Sequence, residues 1–254
     1  MTGFARYDDL DGASVFITGG GTGIGAALTT AFLEQGARVA FVDLADCRDA
    51  AAMMAQATGN TPLFIQCDVT DTQALHNAMD QAAAAHGPFK ATINNAANDM
   101  RMPAATVTEA EWAQMIDVNL KHYFFASQKA AALMGDGGSI INFSSISYMM
   151  GGKGMAPYVT SNAGITGMTR ALAREWGPQG LRVNAIAPGW VLTDKQMEKW
   201  ATPETLAAFL DLQCLKRHLK PEDVVGTALF LASDSSAMMT SQVLVVDAGV
   251  VVTG

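Results

Sequence analysis

A glycine-rich turn near the start of the chain has the composition of a phosphate-binding loop. It spans residues 18–25 and reads Thr-Gly-Gly-Gly-Thr-Gly-Ile-Gly. It lies between a short apolar run and a helical stretch, where glycines allow the backbone to approach a pyrophosphate and helix N–H groups face its charge. The motif predicts a dinucleotide site, although a glycine fingerprint alone is also typical of a tight turn.

An acidic residue follows this turn at the distance expected for ribose recognition. Asp43 ends the second apolar run, close to the interval of ~20 residues at which a carboxylate binds the adenosine ribose of NAD. Its charge would repel the 2′-phosphate of NADP. No arginine follows immediately, but Arg48 is near, so NAD is the favoured cofactor and NADP the less favoured one. A solvent-exposed acid in a turn is the alternative interpretation.

Both features fall within a regular alternation of strand and helix signals. Residues 24–35 and 46–58 read as helices, and seven short apolar runs are separated by such stretches. The runs cover residues 14–18, 38–43, 63–66, 91–94, 139–144, 182–187 and 243–246. Continuous apolar strands with helices between them indicate a parallel sheet covered on both faces. The sequence therefore predicts one α/β domain over residues 1–254, a doubly wound Rossmann fold with a seven-stranded, mostly parallel sheet.

The composition excludes several classes of protein. Of 254 residues 50% are hydrophobic and 16% charged, which is enough for a large core, and the net charge of −8 provides no basic footprint for nucleic acid or an anionic membrane. The three cysteines and four histidines show no ligand spacing, so no disulfide and no metal site are expected. With no long apolar run and no signal peptide, we expect a cytoplasmic protein without a membrane partner.

Several motifs in a fixed order resemble the short-chain dehydrogenase/reductase family over essentially the whole chain. They are the turn at residues 18–25, Asn94-Asn-Ala-Ala97, Asn119, Ser145, Tyr158 and Pro188-Gly189. The resemblance implies an NAD(P)-dependent oxidoreductase with a dinucleotide-binding portion at about 12–145 and a catalytic helix and substrate loop at about 145–220. It implies that the catalytic positions are Asn119, Ser145, Tyr158 and Asn162, with Ser144 structural.

The resemblance also implies a set of cofactor-binding residues along the ends of the predicted strands. These are Gly19, Gly21, Thr22, Gly23, Ile24, Gly25, Asp43, Leu44, Asp68, Val69, Asn95, Ala96, Tyr158, Asn162, Pro188, Gly189, Val191 and Thr193. One departure lies beside them, at Ala97, which replaces the last glycine of the family's Asn-Asn-Ala-Gly and adds a methyl group near the cofactor.

A second departure concerns the chemistry itself. Oxidation of an alcohol needs a base, which the resemblance assigns to Tyr158, and a phenol with a pKa near 10 is about one part in a thousand ionised at pH 7. The family's lysine lowers that pKa, but Asn162 stands in its place. Asn162 shares a helix face with Tyr158 and can bond a ribose hydroxyl, yet it carries no charge. We expect activity near neutral pH to be lower by roughly 10²- to 10³-fold and to rise with pH.

Three explanations of Asn162 remain open. The favoured one is an engineered substitution of a lysine, made to hold a substrate complex, since the helix around it otherwise matches the family. In the second, another cation compensates, with Lys153 and Lys195 as candidates that are more simply surface lysines. In the third, the chain is a noncatalytic NAD-binding protein.

The segments around residues 98–101, 147–148, 195–200 and 214–217 resemble the branch of the family that oxidises aldoses such as xylose, arabinose and galactose at C1. The resemblance implies a monosaccharide as the small-molecule partner, a sugar lactone as the product, and a homotetramer. The substrate positions it implies are Asn98, Ser145, Ser147, Tyr158, Trp190 and Gln196. A dehydrogenase of another secondary alcohol or of a polyol is the alternative enzyme.

Overall fold

The computed structural model describes residues 3–252, and within this range seven strands form one sheet. The strands are β1 (Ser14–Thr18), β2 (Arg38–Asp43), β3 (Leu63–Gln66), β4 (Phe89–Asn94), β5 (Gly138–Phe143), β6 (Leu181–Pro188) and β7 (Val243–Val246). All seven lie at the runs predicted from the sequence, and their ends differ from the predicted ends by at most two residues.

Ten α-helices connect and cover these strands in the described part of the chain. They are α1 (Gly23–Glu34), α2 (Arg48–Thr58), α3 (Thr72–His86), α4 (Glu109–Ile116), α5 (His122–Leu133), α6 (Ser147–Met150), α7 (Ala156–Trp176), α8 (Asp194–Lys199), α9 (Pro203–Leu212) and α10 (Glu222–Ala232). A π-helical turn, Asp117–Lys121, joins α4 to α5. No helix within residues 3–252 has the length and apolar character needed to cross a membrane.

The sheet has the strand order β3-β2-β1-β4-β5-β6-β7, and each neighbouring pair is parallel. The chain runs outward from β1 to β3, crosses back to β4 beside β1, and then runs outward in the other direction. In such a sheet ligands bind at the carboxyl ends of the strands where the order reverses, here between β1 and β4. The prediction of a doubly wound, seven-stranded α/β domain is confirmed.

Successive residues of a strand pack alternately into two apolar cores, one on each face of the sheet. Val15 and Ile17 of β1 lie in the cluster that includes α1 and α10, whereas Phe16 lies in the cluster that includes α3 and α5. All three side chains are fully buried. Because both faces are apolar, the strands read as continuous hydrophobic runs, and the sheet holds its carboxyl ends rigidly in place.

Helix α7 carries the residues of greatest chemical interest. Pro157 occupies its first turn, where a missing N–H costs nothing, and the helix then runs 21 residues to Trp176. Its buried face packs on β6 and presents Ser161, Asn162, Thr166 and Thr169 to the interior. The end of the helix near residue 158 reaches the carboxyl edge of the sheet.

Candidate active site

One cavity of about 900 Å³ runs along the carboxyl ends of the strands. Every site residue predicted from the sequence lines this cavity except Gly21 and Gly23. Residues up to 174 positions apart in the chain, from Thr22 through Tyr158 to Gln196, are thus brought to one place by the sheet.

The glycine turn fits closely around its own backbone. A Cβ at Gly25 would lie 1.7 Å from the carbonyl oxygen of Gly19, and Gly19 itself has a φ of +66°. The Thr22 side chain makes no capping hydrogen bond to α1, so the first N–H groups of this helix are left for another acceptor. An uncapped helix N-terminus that opens on a cavity suits a phosphate group.

Gly21 and Gly23 shape the turn rather than the cavity wall. A Cβ at Gly21 would lie 2.2 Å from Cys47 Sγ, and its N–H donates to Asp43 Oδ2 at 3.1 Å. Gly23, with a φ of +53°, faces Thr193, the N-terminal cap of α8. The absence of a side chain at Gly23 therefore lets the glycine turn and the loop after β6 approach each other.

The Asp43 carboxylate is fixed at the end of β2. One oxygen accepts from Gly21 N–H and the other from Ala45 N–H at 3.3 Å. Arg48, the nearest arginine, is not directed at it: its Nε donates to Asp46 Oδ1 at 2.9 Å. The next residue along the chain, Leu44, is 67% exposed and uncharged. The Asp43 carboxylate therefore faces the cavity, and the Arg48 guanidinium is paired with Asp46 instead.

The floor of the cavity joins β1 to β4. Thr18 Oγ1 accepts from the N–H groups of Asn95 and Ala96 at 3.0 and 3.1 Å, and Asn95 Nδ2 donates to the carbonyls of Thr18 and Gly19. The described non-glycine residues with positive φ are Ser241 and Ala248, so Ala97 takes no left-handed conformation in place of the family's glycine. Its methyl group lines the cavity without backbone strain.

The Asn119 side chain is held by protein groups. It lies in the π-helical turn, is 1% exposed, and accepts from Asn98 N–H at 2.8 Å while donating to the carbonyls of Asn98 and Met115. These bonds fix the loop after β4 at Asn98. The geometry therefore supports a positioning role for Asn119, which holds this loop in place.

Three serines follow β5, each with a different environment. Ser144 Oγ donates to the carbonyl of Asn162 at 3.0 Å, which is a structural bond between β5 and α7. Ser145 Oγ accepts from Ser147 N–H at 3.1 Å, and its hydroxyl forms a hydrogen bond with the Tyr158 phenol. Ser147 Oγ is buried in the cavity wall with no hydrogen-bond partner among the described residues.

Tyr158 is a neutral phenol at physiological pH. Burial raises its pKa above the usual value of 10, and the charge of Asp99 raises it further, whereas hydrogen bonds with Ser145 and Asn162 act in the opposite direction without cancelling the increase. Asn162 is 3% exposed, and its Nδ2 donates to the Tyr158 carbonyl at 2.9 Å. The side chain at the family's lysine position therefore bonds the helix backbone and brings no charge to the phenol.

Neither surrogate lysine supplies that charge. The Lys195 ammonium pairs with Asp99 Oδ1 at 3.0 Å, and Lys153 is exposed in the turn before α7, outside the residues that line the cavity. The charged residue that acts on the phenol is Asp99, and its effect is to hold the proton on.

Three hydrogen-bonded side chains line another part of the cavity that contains Tyr158. Gln196 Nε2 donates to Asp99 Oδ2 at 2.6 Å, and Gln196 Oε1 accepts from Trp190 Nε1 at 2.8 Å. The Trp190 ring packs edge-on against Phe209 at 5.4 Å. The sequence predicted Trp190 and Gln196 as substrate positions, but it assigned no role to Asp99 or Phe209. The segment at residues 98–101 was the sequence signal that could have pointed to Asp99. Its contacts with α8 are visible only in the structure.

Comparisons with known proteins show the family of this chain. Residues 19–251 match the family described as Enoyl-(acyl carrier protein) reductase. The chain is 46% identical to the "Probable galactose dehydrogenase" of Rhizobium meliloti (strain 1021), over 97% of this chain and 98% of that one. It is 45% identical to the D-xylose 1-dehydrogenase of Caulobacter vibrioides (strain NA1000 / CB15N), over 96% and 98%. A short-chain dehydrogenase/reductase structure from Serratia marcescens BCRC 10948 superposes with a TM-score of 0.89 at 32% identity, covering 95% of this chain and 98% of that one.

A parallel sheet with a glycine turn at its switch point, and a serine and a tyrosine beside the same cavity, define an oxidoreductase that binds a dinucleotide. The matched family and the full-length relatives make the class specific. The chain belongs to the short-chain dehydrogenase/reductase family, whose dehydrogenases use NAD(P).

Proposed function

We propose that this chain oxidises an aldose at C1 to the sugar lactone with NAD. The observation that carries the proposal is the joining of Ser145, Tyr158 and the Asp99–Gln196–Trp190 wall in one cavity with the glycine turn. Two relatives with 45–46% identity are named for galactose and xylose oxidation, which supports a sugar as the substrate. The bound nicotinamide would accept the hydride from C1.

The residues of the chain suit the cofactor. The uncapped start of α1 would receive the pyrophosphate, and the fixed Asp43 carboxylate would accept from the adenosine ribose hydroxyls. The absence of a cation at Leu44 and the pairing of Arg48 with Asp46 support NAD over NADP, because a 2′-phosphate would meet an unpaired anion. The loop after β6, at Thr193, would close the other end of the site.

Ser145 and Tyr158 would hold the reacting hydroxyl. Ser145, which hydrogen-bonds the Tyr158 phenol, would turn its hydroxyl proton to the C1 oxygen, and Tyr158 would take the hydroxyl proton of the sugar. A phenolate does this well, but the raised pKa keeps Tyr158 protonated. We therefore propose that Asn162 makes this chain a slow enzyme at neutral pH.

The neutral phenol also favours an aldose over a polyol. Loss of hydride from a hemiacetal carbon leaves positive charge that the ring oxygen stabilises, so the hydride can leave before the C1 hydroxyl proton is fully removed. A polyol carbon has one oxygen and relies more on a base that is already ionised. A site that has lost its activating cation would therefore lose polyol oxidation before aldose oxidation.

A panel of pentoses, hexoses and their matching polyols, with NAD and with this chain or its Asn162→Lys variant, tests the proposal. We expect the variant to form NADH from at least one aldose at pH 7, about 10²- to 10³-fold faster than the unmodified chain, and the difference to narrow at pH 10 as the phenol ionises. Polyols should gain more from the lysine than aldoses do.

Three results would contradict parts of this account. Fast aldose oxidation by the unmodified chain at pH 7 would mean that another group ionises Tyr158. A polyol oxidised faster than every aldose would make the chain a polyol dehydrogenase. Binding of NAD with no turnover by either protein would leave a noncatalytic dinucleotide-binding protein.

The cofactor preference is tested by Asp43→Ala, with Asp49→Ala on α2 as the matched control. Loss of the ribose-binding carboxylate should raise the KM for NAD by about 10-fold while NADP binding improves. The control should change neither value. Equal weakening of NAD and NADP would show instead that Asp43 only supports the glycine turn through Gly21.

We also propose a homotetramer, as the family resemblance implies. The exposed face of α7 carries small residues at Ala163, Gly167 and Ala171, which allow another helix to approach closely, and Trp112 of α4 is 39% exposed beside the start of α7. β7 lies at an edge of the sheet. Sedimentation velocity should give about four times the chain mass of 26.7 kDa, and a monomer would contradict the assembly.

A further inference from the structure

The cavity wall contains an ion pair that the proposed chemistry does not use. Asp99, in the loop after β4, pairs with Lys195 at 3.0 Å and accepts from Gln196 at 2.6 Å. Both partners belong to α8, so the contacts join two segments almost a hundred residues apart. Their side chains are 20% exposed for Asp99 and 43% exposed for Lys195, and all three residues line the same cavity as Tyr158 and Ser145.

The orientation of Gln196 is set by its two neighbours. The Trp190 indole N–H can only donate, and the ionised Asp99 carboxylate can only accept. The amide oxygen must therefore face Trp190 and the amide nitrogen must face Asp99, as the structure has them. Because Gln196 is fixed at both ends, it aligns the Asp99 carboxylate and the Trp190 ring on one wall.

This wall still has hydrogen-bonding capacity to offer a ligand. An ionised carboxylate has about four acceptor positions, and the contacts above use two of those on Asp99; Lys195 has three donors and gives one to Asp99. Burial raises the pKa of Asp99, but the hydrogen bonds from Gln196 and Lys195 lower it overall, so the carboxylate is ionised at neutral pH. A partly exposed ion pair adds little to stability, which leaves ligand binding as the better use of these groups.

We propose that Asp99 is a specificity-determining residue, whose carboxylate accepts a hydrogen bond from an aldose hydroxyl other than the one at C1 while Lys195 donates to a neighbouring hydroxyl. Trp190 covers the apolar C–H face of the ring beside them. An acceptor, a donor and an aromatic face on one wall match a polyhydroxylated ring, and they distinguish it from an apolar alcohol, which would offer no partner to the remaining acceptor positions of Asp99 and donors of Lys195. This inference rests on the proposed function.

The test combines Asp99→Asn with a set of monodeoxy aldoses, in the Asn162→Lys background so that turnover is measurable. With the full sugar, Asp99→Asn should raise KM by about 10- to 100-fold and change kcat less, and Glu198→Gln on the exposed side of α8 should leave both unchanged. One deoxy sugar should be a poor substrate before the Asp99 change and become no poorer after it, because the contacted hydroxyl is already missing. NADH affinity, measured by fluorescence titration without sugar, should stay the same.

Two outcomes would overturn the inference. If Asp99→Asn weakens every deoxy sugar as much as the full sugar, Asp99 only holds α8 against the loop after β4. If NADH affinity falls in parallel with sugar KM, the substitution disturbs the whole cavity. Failure of the proposed function gives a different result, since no aldose would then be oxidised even in the Asn162→Lys background with Asp99 intact.

Discussion

The site depends on the hydrogen bonds that join the ends of β1 and β4. Thr18 Oγ1 accepts hydrogen bonds from the N–H groups of Asn95 and Ala96. The Asn95 side-chain amide donates to the carbonyls of Thr18 and Gly19. These bonds set the floor at the place where the strand order reverses, and helix α1 starts directly beyond it. The glycine turn, where we propose that the pyrophosphate binds, and the loop that carries Asp99 both take their places from this junction.

Electrostatics decide what the assembled site can do. In a buried setting the phenol of Tyr158 needs a nearby cation to ionise, and the structure offers an uncharged Asn162 on the same helix and an anion, Asp99, across the cavity. Lys195, on the cavity wall beside Asp99, is paired with that carboxylate. The geometry of an oxidoreductase is thus retained while its usual source of base strength is missing.

Much of the fold and part of the site could be predicted from the sequence. Apolar runs bounded by glycines locate strands such as β1, because burial on both faces of the sheet requires a continuous apolar run. Asn162 stands out because it is uncharged at the position where the family has a lysine. The contacts of Asp99, Gln196 and Trp190 could not be predicted, since they join loops whose approach is set by packing rather than by spacing. The use of the Asn119 amide to hold Asn98 depends likewise on tertiary structure.

The most direct measurement is the ultraviolet titration of the Tyr158 phenol in the protein without ligands, with Tyr158→Phe subtracted to isolate its signal. The account predicts that Tyr158 in this chain ionises above the usual phenol pKa of about 10, and that Asn162→Lys lowers this pKa by roughly 2–3 units. A phenol that already ionises near neutral pH in the unmodified chain, or one that does not respond to the lysine, would contradict the claim that the missing charge limits this enzyme.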